Sequence, residues 1–196
     1  MTKYKLTDDT IIHNGITLYR IELIEDCKWG KAGTKGGFIE KSDNLTQDAW
    51  VSDNAKVYGD AKVYGDAKVC GNATVYGDAT VSGDAQVSDD ATVYGYAKVY
   101  GYAKVYGDAK VYGNARVHGD AKVYGDAILE KTSDYMTISS LGNTNRTITI
   151  TFSDKMIVAG CFRGTLIEFK TAVDKKYNGE SNYYAAIEMI KILFAK

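Results

Sequence analysis

The chain has no proline among its 196 residues, and it has only three cysteines and two histidines. Proline cannot donate a ladder hydrogen bond, so its absence is compatible with a chain built from many internal β-strands. Cys27, Cys70 and Cys161 are odd in number and far apart, which argues against a disulfide framework and predicts a reducing, cytoplasmic compartment. Their spacing also does not match that of a zinc site.

Long hydrophobic runs and a strong net charge are absent as well. The sequence has no stretch of about 18 apolar residues, and its first residues lack a basic segment followed by an apolar one. We therefore expect neither a membrane span nor a secretion signal. The 24 basic and 25 acidic residues give a formal charge of −1, which does not favour duplex nucleic acid or an anionic membrane as a partner.

Glycine and tyrosine are abundant, with 20 and 16 residues, and most of both fall in one repeat. From Ala49 to Leu129 the chain repeats the unit A-x-V-x-G-[DN], and Ile39 and Leu45 continue its phase upstream, which makes 16 units of six residues. Alanine and valine alternate with polar residues, as on a short strand with one buried face, and glycine follows at a turn. Three units close one triangular coil, so the sequence predicts a parallel β-helix of about five coils over residues 37–129.

The segment before the repeat, residues 1–36, predicts a β-hairpin. Asn14 and Gly15 lie between alternating apolar residues, which is a strong signal for a tight hairpin turn. We expect this hairpin to cap the first coil, because an open sheet edge would otherwise pair with other chains.

The segment after the repeat, residues 130–196, predicts a small α+β domain. A second hairpin is expected around residues 153–155, between two apolar stretches. Thr165 and Glu168 form a capping-box pattern for one amphipathic helix, and Ser181 precedes another.

The run of A-x-V-x-G-[DN] units resembles the hexapeptide-repeat proteins, which have a left-handed β-helix and include trimeric acyltransferases and γ-type carbonic anhydrases. The segments GGFIE and AWVSDNA are similar to a transferase-like subgroup found in bacteria and their phages, and the tail GCFRGTLIEFKTAV is similar to a module that follows such repeats. The resemblance implies a mainly β fold with a left-handed parallel β-helix. It also implies a homotrimer about an axis parallel to the long axis of the β-helix.

Tyrosine recurs on the outside of the predicted helix. Residues 18 positions apart stack on the same face, about 4.8 Å from one coil to the next. One face then carries an unbroken column of Tyr58, Tyr76, Tyr94 and Tyr112. Because tyrosine is enriched at protein interfaces, we predict that this column is a subunit interface.

Tyr96 and Tyr102 break the pattern, since they stand where aspartate or asparagine is expected. They concentrate aromatic and basic residues in one stretch of the chain: Tyr94, Tyr96, Lys98, Tyr100, Tyr102, Lys104 and Tyr106. Aromatic rings beside lysines can stack on bases while the cations bind phosphate, so this stretch is a candidate ligand-binding or interface site. The alternatives are simple interface packing or drift of the repeat.

Histidine is the residue on which catalysis would depend. The acyltransferases that the repeat resembles use a histidine between subunits, and His118 is the one weak candidate because His13 falls at the hairpin turn. No loop interrupts the repeat to form an acceptor pocket, and two histidines cannot supply the three zinc ligands of a γ-type anhydrase. We therefore predict no metal and no cofactor, and we prefer a non-enzymatic function to an acyltransferase.

Three functions remain open. The preferred one is a non-enzymatic, trimeric binding protein. In its more specific form, this would be a phage or mobile-element protein that captures a host protein or a nucleotide signal in the host cytoplasm as a counter-defence. The second is a CoA-dependent acyltransferase of the hexapeptide-repeat type. The third is a structural virion or scaffold component.

Overall fold

The repeats form a parallel β-solenoid of about five turns in the computed structural model, which describes residues 3–141, 146–177 and 181–195. The helices are α1 (Leu166–Tyr177) and α2 (Asn182–Phe194). The strands are, in chain order, β1 (Tyr4–His13), β2 (Ile16–Leu23), β3 (Lys35–Ile39), β4 (Trp50–Val51), β5 (Lys56–Val57), β6 (Lys62–Val63), β7 (Lys68–Val69), β8 (Thr74–Val75), β9 (Thr80–Val81), β10 (Gln86–Val87), β11 (Thr92–Val93), β12 (Lys98–Val99), β13 (Lys104–Val105), β14 (Lys110–Val111), β15 (Arg116–Val117), β16 (Lys122–Val123), β17 (Ile128–Leu129), β18 (Tyr135–Leu141), β19 (Arg146–Thr151), β20 (Met156–Ala159) and β21 (Phe162–Gly164).

Three parallel sheets make the three faces of the solenoid. Face 1 contains β3, β5, β8, β11, β14 and β17, face 2 contains β6, β9, β12 and β15, and face 3 contains β4, β7, β10, β13 and β16. Each strand pairs with the strand three units later, so that Val57 lies opposite Val75 and Val63 opposite Val81. This arrangement confirms the predicted fold class, a mainly β protein with a parallel β-helix.

Alanine and valine fill the interior of every coil. The repeat valines from Val51 to Val123 and the repeat alanines from Ala55 to Ala127 have no exposed surface. Glycine turns the chain at the corners in the left-handed region, with φ between +60° and +76° from Gly59 to Gly125. The polar residues between them face outward, so each unit contributes two side chains to a face and one to a corner.

The N-terminal segment extends face 1 and closes one end of the core. Strands β1 and β2 form an antiparallel hairpin around Asn14 and Gly15, both at positive φ, and β2 pairs with β3. Tyr4, Ile21 and Leu23 are buried in the core of the solenoid. The predicted hairpin is therefore confirmed, and it lengthens the sheet of face 1 while it covers the first coil.

Tyr4 is a buried phenol that ties this hairpin to the solenoid. Its hydroxyl donates to the carbonyl oxygens of Leu45, at 2.8 Å, and Ser42, at 3.1 Å. Burial, helped by the negative charge of Asp43, raises the pKa of Tyr4 to about 12. An unfolded tyrosine has a pKa of about 10, so the native protein favours the protonated phenol.

We expect the Tyr4 side chain to make folding stability fall at alkaline pH. Its contribution is fully present below about pH 10 and is lost as the pH rises towards 12, because only the unfolded chain ionises Tyr4 in that window. Tyr4→Phe should lower the free energy of unfolding at pH 7 by about 1 kcal/mol, because the hydrogen bonds of the hydroxyl are lost. Above pH 10 the free energy of unfolding of the variant should fall less steeply with pH than that of the native protein. Urea denaturation of both proteins from pH 7 to 12 measures the free energy of unfolding at each pH. If this free energy fell equally with pH in both proteins, the prediction would be wrong.

The other end of the solenoid is closed by side-chain oxygens. In the earlier coils the first residue of a strand and the residue after the strand donate their N–H groups to carbonyl oxygens of the next coil, as Lys98 does to Ala115 at 2.9 Å. The last coil has no such neighbour. Oxygens from the C-terminal segment accept instead: Thr132 Oγ1 from the N–H of Arg116, the Tyr135 hydroxyl from that of His118, Thr149 Oγ1 from that of Lys122, and Ser153 Oγ from that of Ile128. The C-terminal segment therefore replaces the missing coil.

The C-terminal unit is a four-stranded antiparallel sheet with two helices against it. The strand order is β18, β19, β20, β21, and the core contains Ile148, Ile157, Phe169, Ile187 and Ile190. The Ser181 hydroxyl accepts the Tyr183 N–H at the start of α2, as the sequence predicts. Among the described residues, no helix is both long and apolar enough to cross a membrane.

Candidate functional site: the open tyrosine face

Face 2 is the face on which aromatic side chains remain most exposed. Tyr64 and Tyr100 on its strands are 37% and 38% exposed, and Tyr96 and Tyr102 at its two corners are each 65% exposed. His118 follows on the same face and stacks on Tyr100, with 5.3 Å between ring centres. We call these five residues the open tyrosine face.

Tyr96 and Tyr102 owe their exposure to the geometry of the repeat. The residue after each glycine lies at a corner, so Tyr96 separates face 1 from face 2 and Tyr102 separates face 2 from face 3. The coil before has Asp78 and Asp84 at these corners. Together with Lys98 and Tyr100 of the strand between them, the two tyrosines form an aromatic row across face 2 within one coil.

The positive charges of face 2 are not neutralised by close ion pairs. Lys62, Lys98 and Arg116 point outward on its strands, and the described part of the chain offers none of them a carboxylate within 4.0 Å. Asp60 and Asp66, at the two corners of face 2 beside Lys62, pair instead with Lys41 and Lys28 of the N-terminal segment. The open tyrosine face thus combines aromatic rings with cations that are free to bind an anionic group.

The tyrosine column of face 1 stacks as a ladder. The ring centres of Tyr58, Tyr76, Tyr94 and Tyr112 are 5.1, 5.0 and 5.0 Å apart, with interplanar angles of 5°, 2° and 10°. Tyr58 is 6% exposed because the hairpin covers it, with His13 edge-on at 5.5 Å. Burial raises the pKa of Tyr58, Tyr76 and Tyr94. The ladder therefore stabilises face 1 within the subunit, and its role as a subunit interface stays a prediction.

The seven-residue cluster read from the linear sequence is divided among the three faces. Tyr94 lies on face 1, Lys98 and Tyr100 lie on face 2, and Lys104 and Tyr106 lie on face 3. The reason is that consecutive units turn onto consecutive faces. Only the part between Tyr96 and Tyr102 forms one continuous surface.

Comparison with known families agrees with this geometry. The family model described as YdcK Beta solenoid repeat matches residues 67–83, 85–101 and 103–119. Each match begins 18 residues after the one before it, so each covers one coil. The chain is a hexapeptide-repeat-like β-helix protein. The three matched segments span about a quarter of it. No curated protein matches the chain.

Neither histidine has the partners of a catalytic base in the part of the chain that the structure describes. His118 is exposed, and no described residue hydrogen-bonds to its ring; its backbone N–H donates to the Tyr135 hydroxyl at 3.3 Å. A general base is normally oriented by a third group, and no carboxylate does so here among the described residues. His13 packs against Tyr58, and burial and the charge of Lys56 lower its pKa.

The described residues also contain no cluster of three or more histidine, cysteine or acidic side chains that could hold a metal ion. Cys27, Cys70 and Cys161 are free thiols at separate places in the fold.

Sequence reasoning undervalued Tyr64 and did not find Arg163. Tyr64 and His118 join the open tyrosine face through the 18-residue step, a signal that is visible when the chain is read by columns. The guanidinium of Arg163 lies over Tyr106 and Tyr124 on face 3, with its carbon 4.7 and 4.0 Å from the ring centres. No periodicity could find Arg163, because it lies outside the repeat.

Proposed function

We propose that the protein is a non-enzymatic binding and assembly protein that forms a homotrimer through the open tyrosine face. The observation that supports this most is the exposure of four tyrosines, Tyr64, Tyr96, Tyr100 and Tyr102, on one face of a rigid solenoid. Tyrosine is enriched at protein interfaces because its ring buries area while its hydroxyl stays hydrogen-bonded. Contiguous exposed aromatic surface on a soluble protein typically marks an interaction site.

The other two faces are less suited to this role. Face 1 has its tyrosine ladder stacked within the subunit and its first ring covered by the hairpin. Face 3 has Tyr106 and Tyr124 under Arg163 of the C-terminal unit. The resemblance to hexapeptide-repeat proteins supports three subunits around an axis parallel to the long axis of the solenoid, a closed symmetry that leaves no open interface.

The molar mass in solution tests this assembly. Light scattering on the eluting native protein should give three times the subunit mass of 21.4 kDa. A monomer would contradict the assembly, and a much larger particle would favour the structural or scaffold alternative.

The more specific form of the proposal concerns what the assembly binds. The row Tyr96, Lys98, Tyr100 and Tyr102 lies on the proposed interface, so a nucleotide would bind between subunits, where these rings can stack on its base and Lys98 can contact its phosphate. This row, together with the resemblance of the GGFIE and AWVSDNA segments to a subgroup found in bacteria and their phages, supports a phage or mobile-element protein that captures a small nucleotide, or a host protein, in the host cytoplasm as a counter-defence. A CoA-dependent acyltransferase using His118 is the competing function, because His118 lies exposed beside Tyr100.

Calorimetry with cyclic nucleotides and with acyl-CoA should separate these functions. We expect the native protein to bind a cyclic nucleotide and Tyr100→Ser to bind it at least about tenfold more weakly, since stacking contributes about 1–3 kcal/mol per base. Serine is the residue of the repeat at Ser82, one coil earlier on the same face, so the fold should tolerate it.

The control for this experiment is Tyr112→Ser, which changes the same repeat position on face 1. Equal losses of nucleotide affinity in both variants would contradict a site on face 2. Binding of acyl-CoA that disappears in His118→Ala would instead favour the acyltransferase.

A further inference from the structure

A second surface with distinct chemistry lies where face 3 meets the C-terminal unit. A depression of about 250 Å³ there is lined by three cations, Lys104, Lys122 and Arg163, and by the polar side chains of Gln86, Ser88 and Tyr106. It shares no residue with the open tyrosine face. It exists only in the folded chain, because β21 places Arg163 against strands of the repeat.

The three cations are held close together. Lys104 and Lys122 are register partners on the neighbouring strands β13 and β16, and the Lys122 ammonium is 3.5 Å from the carbonyl oxygen of Gly160. Arg163 is fixed by its stacking over Tyr106 and Tyr124. Like charges on adjacent strands repel each other, so an anion between them would stabilise the group.

No acidic side chain in the described part of the chain neutralises this group. Within 4.0 Å, none of Lys104, Lys122 and Arg163 has a carboxylate partner there. The acidic residues nearby lie outside the lining of the depression. Asp89 accepts the Gly107 N–H at 3.1 Å, Asp120 lines a neighbouring depression, and Asp90, Asp108 and Asp126 line another at the corner between face 3 and face 1. The lining of the depression itself is therefore positive, in a protein whose net formal charge is −1.

We propose that this junction binds the phosphate group of a small phosphorylated molecule. A phosphate monoester has a charge of about −1.5 to −2 at pH 7 and three acceptor oxygens, which matches three cations surrounded by amide and hydroxyl donors better than a carboxylate does. A guanidinium stacked on aromatic rings keeps its N–H donors in its own plane, where they can reach an anion.

The rest of the ligand has room beside the phosphate site. A neighbouring depression of about 310 Å³ shares Lys122 and Gly160 with the first and is lined by Arg146 and Thr147. Depressions of these sizes are at the small end of those that hold metabolites, so a compact phosphorylated molecule fits better than a polymer.

Titration calorimetry with inorganic phosphate tests the site, with Lys104→Gln and Lys110→Gln as a matched pair. Both variants remove one lysine from the same position of the repeat. Lys104 lies on face 3, within the proposed site, and Lys110 lies on face 1. Glutamine is already present at Gln86, the register partner of Lys104, so the fold should be kept. We expect the native protein to bind phosphate, and Lys104→Gln to bind it about tenfold more weakly, while Lys110→Gln is unchanged.

Several results would overturn the proposal. These are the absence of phosphate binding to the native protein, an equal loss of affinity in both variants, or acetate binding as tightly as phosphate. The melting temperature of each variant shows whether the fold is kept. Because the site is on face 3, Tyr100→Ser on face 2 should bind phosphate as the native protein does, so each proposal can fail without the other.

Discussion

Replacing both Tyr96 and Tyr102 by aspartate is expected to convert the proposed trimer into monomers. Each side chain is 65% exposed in the single subunit, and aspartate occupies the equivalent corners at Asp78 and Asp84. The substitution thus restores the residue that the repeat usually has after glycine, and it should not disturb the solenoid. Truncating a tyrosine at the centre of an interface often costs about 2 kcal/mol or more, and the change is repeated in every subunit.

Light scattering over a range of protein concentrations measures this change. The double variant should have the mass of one subunit at concentrations where the native protein has the mass of three, with an unchanged circular dichroism spectrum. The matched control is Tyr94→Ser, which removes a ring of the face 1 ladder. If Tyr94→Ser dissociates the assembly and Tyr96→Asp/Tyr102→Asp does not, the interface is the ladder, and the open tyrosine face is not involved.

The second large effect concerns the packing of one coil on the next at the corners. A Cβ on Gly107 would lie 2.8 Å from the backbone nitrogen of Gly125, whereas a Cβ on Gly125 would have no atom within 4 Å. The two glycines have nearly the same φ, +73° and +74°. Gly125→Ala should therefore lower the free energy of unfolding by about 1–2 kcal/mol, because alanine is strained in the left-handed conformation. Gly107→Ala should lower it by about 1–3 kcal/mol more, because its Cβ is also too close to the next coil.

Gly107→Asp should be more stable than Gly107→Ala although its side chain is larger. Asp53 and Asp89 occupy the glycine position at this corner in other coils, with φ of 59°. Their carboxylates accept the N–H of Gly71 and Gly107, at 3.0 and 3.1 Å. An aspartate at position 107 can accept the N–H of Gly125 in the same way, and aspartate tolerates the left-handed region.

Chemical denaturation of the native protein and the three glycine variants measures the order. Gly107→Ala should be the least stable, with Gly107→Asp between it and the native protein. Equal stability of Gly107→Ala and Gly125→Ala would show that contact between coils does not contribute to the loss of stability and that backbone strain alone causes it.

The fold was predictable because each repeat unit is local. Six residues contain one strand and one turn, and the side chains of alanine and valine decide which face is buried. The 18-residue step then determines which residues stack, as the ladder from Tyr58 to Tyr112 shows. The two hairpins and the Ser181 cap were predictable for the same reason, since turn and capping signals act over a few residues.

The site was predictable only in part. Tyr96, Lys98, Tyr100 and Tyr102 were found as breaks in the repeat, but the linear stretch also contained Tyr94 and Tyr106, which the solenoid turns onto other faces. In such a fold a residue contacts the residues 18 positions before and after it, on the neighbouring coils, as well as its neighbours in the chain.

The sequence by itself determined the solenoid, its period and the inward or outward direction of each side chain. Only the tertiary structure decided which tyrosines stay exposed. The hairpin covers Tyr58, and the C-terminal unit places Arg163 over Tyr106 and Tyr124, while face 2 is left open. The physical reason is that periodic packing depends on contacts within a unit and its neighbours in the stack, whereas the coverage of a face depends on where a non-repeating segment docks.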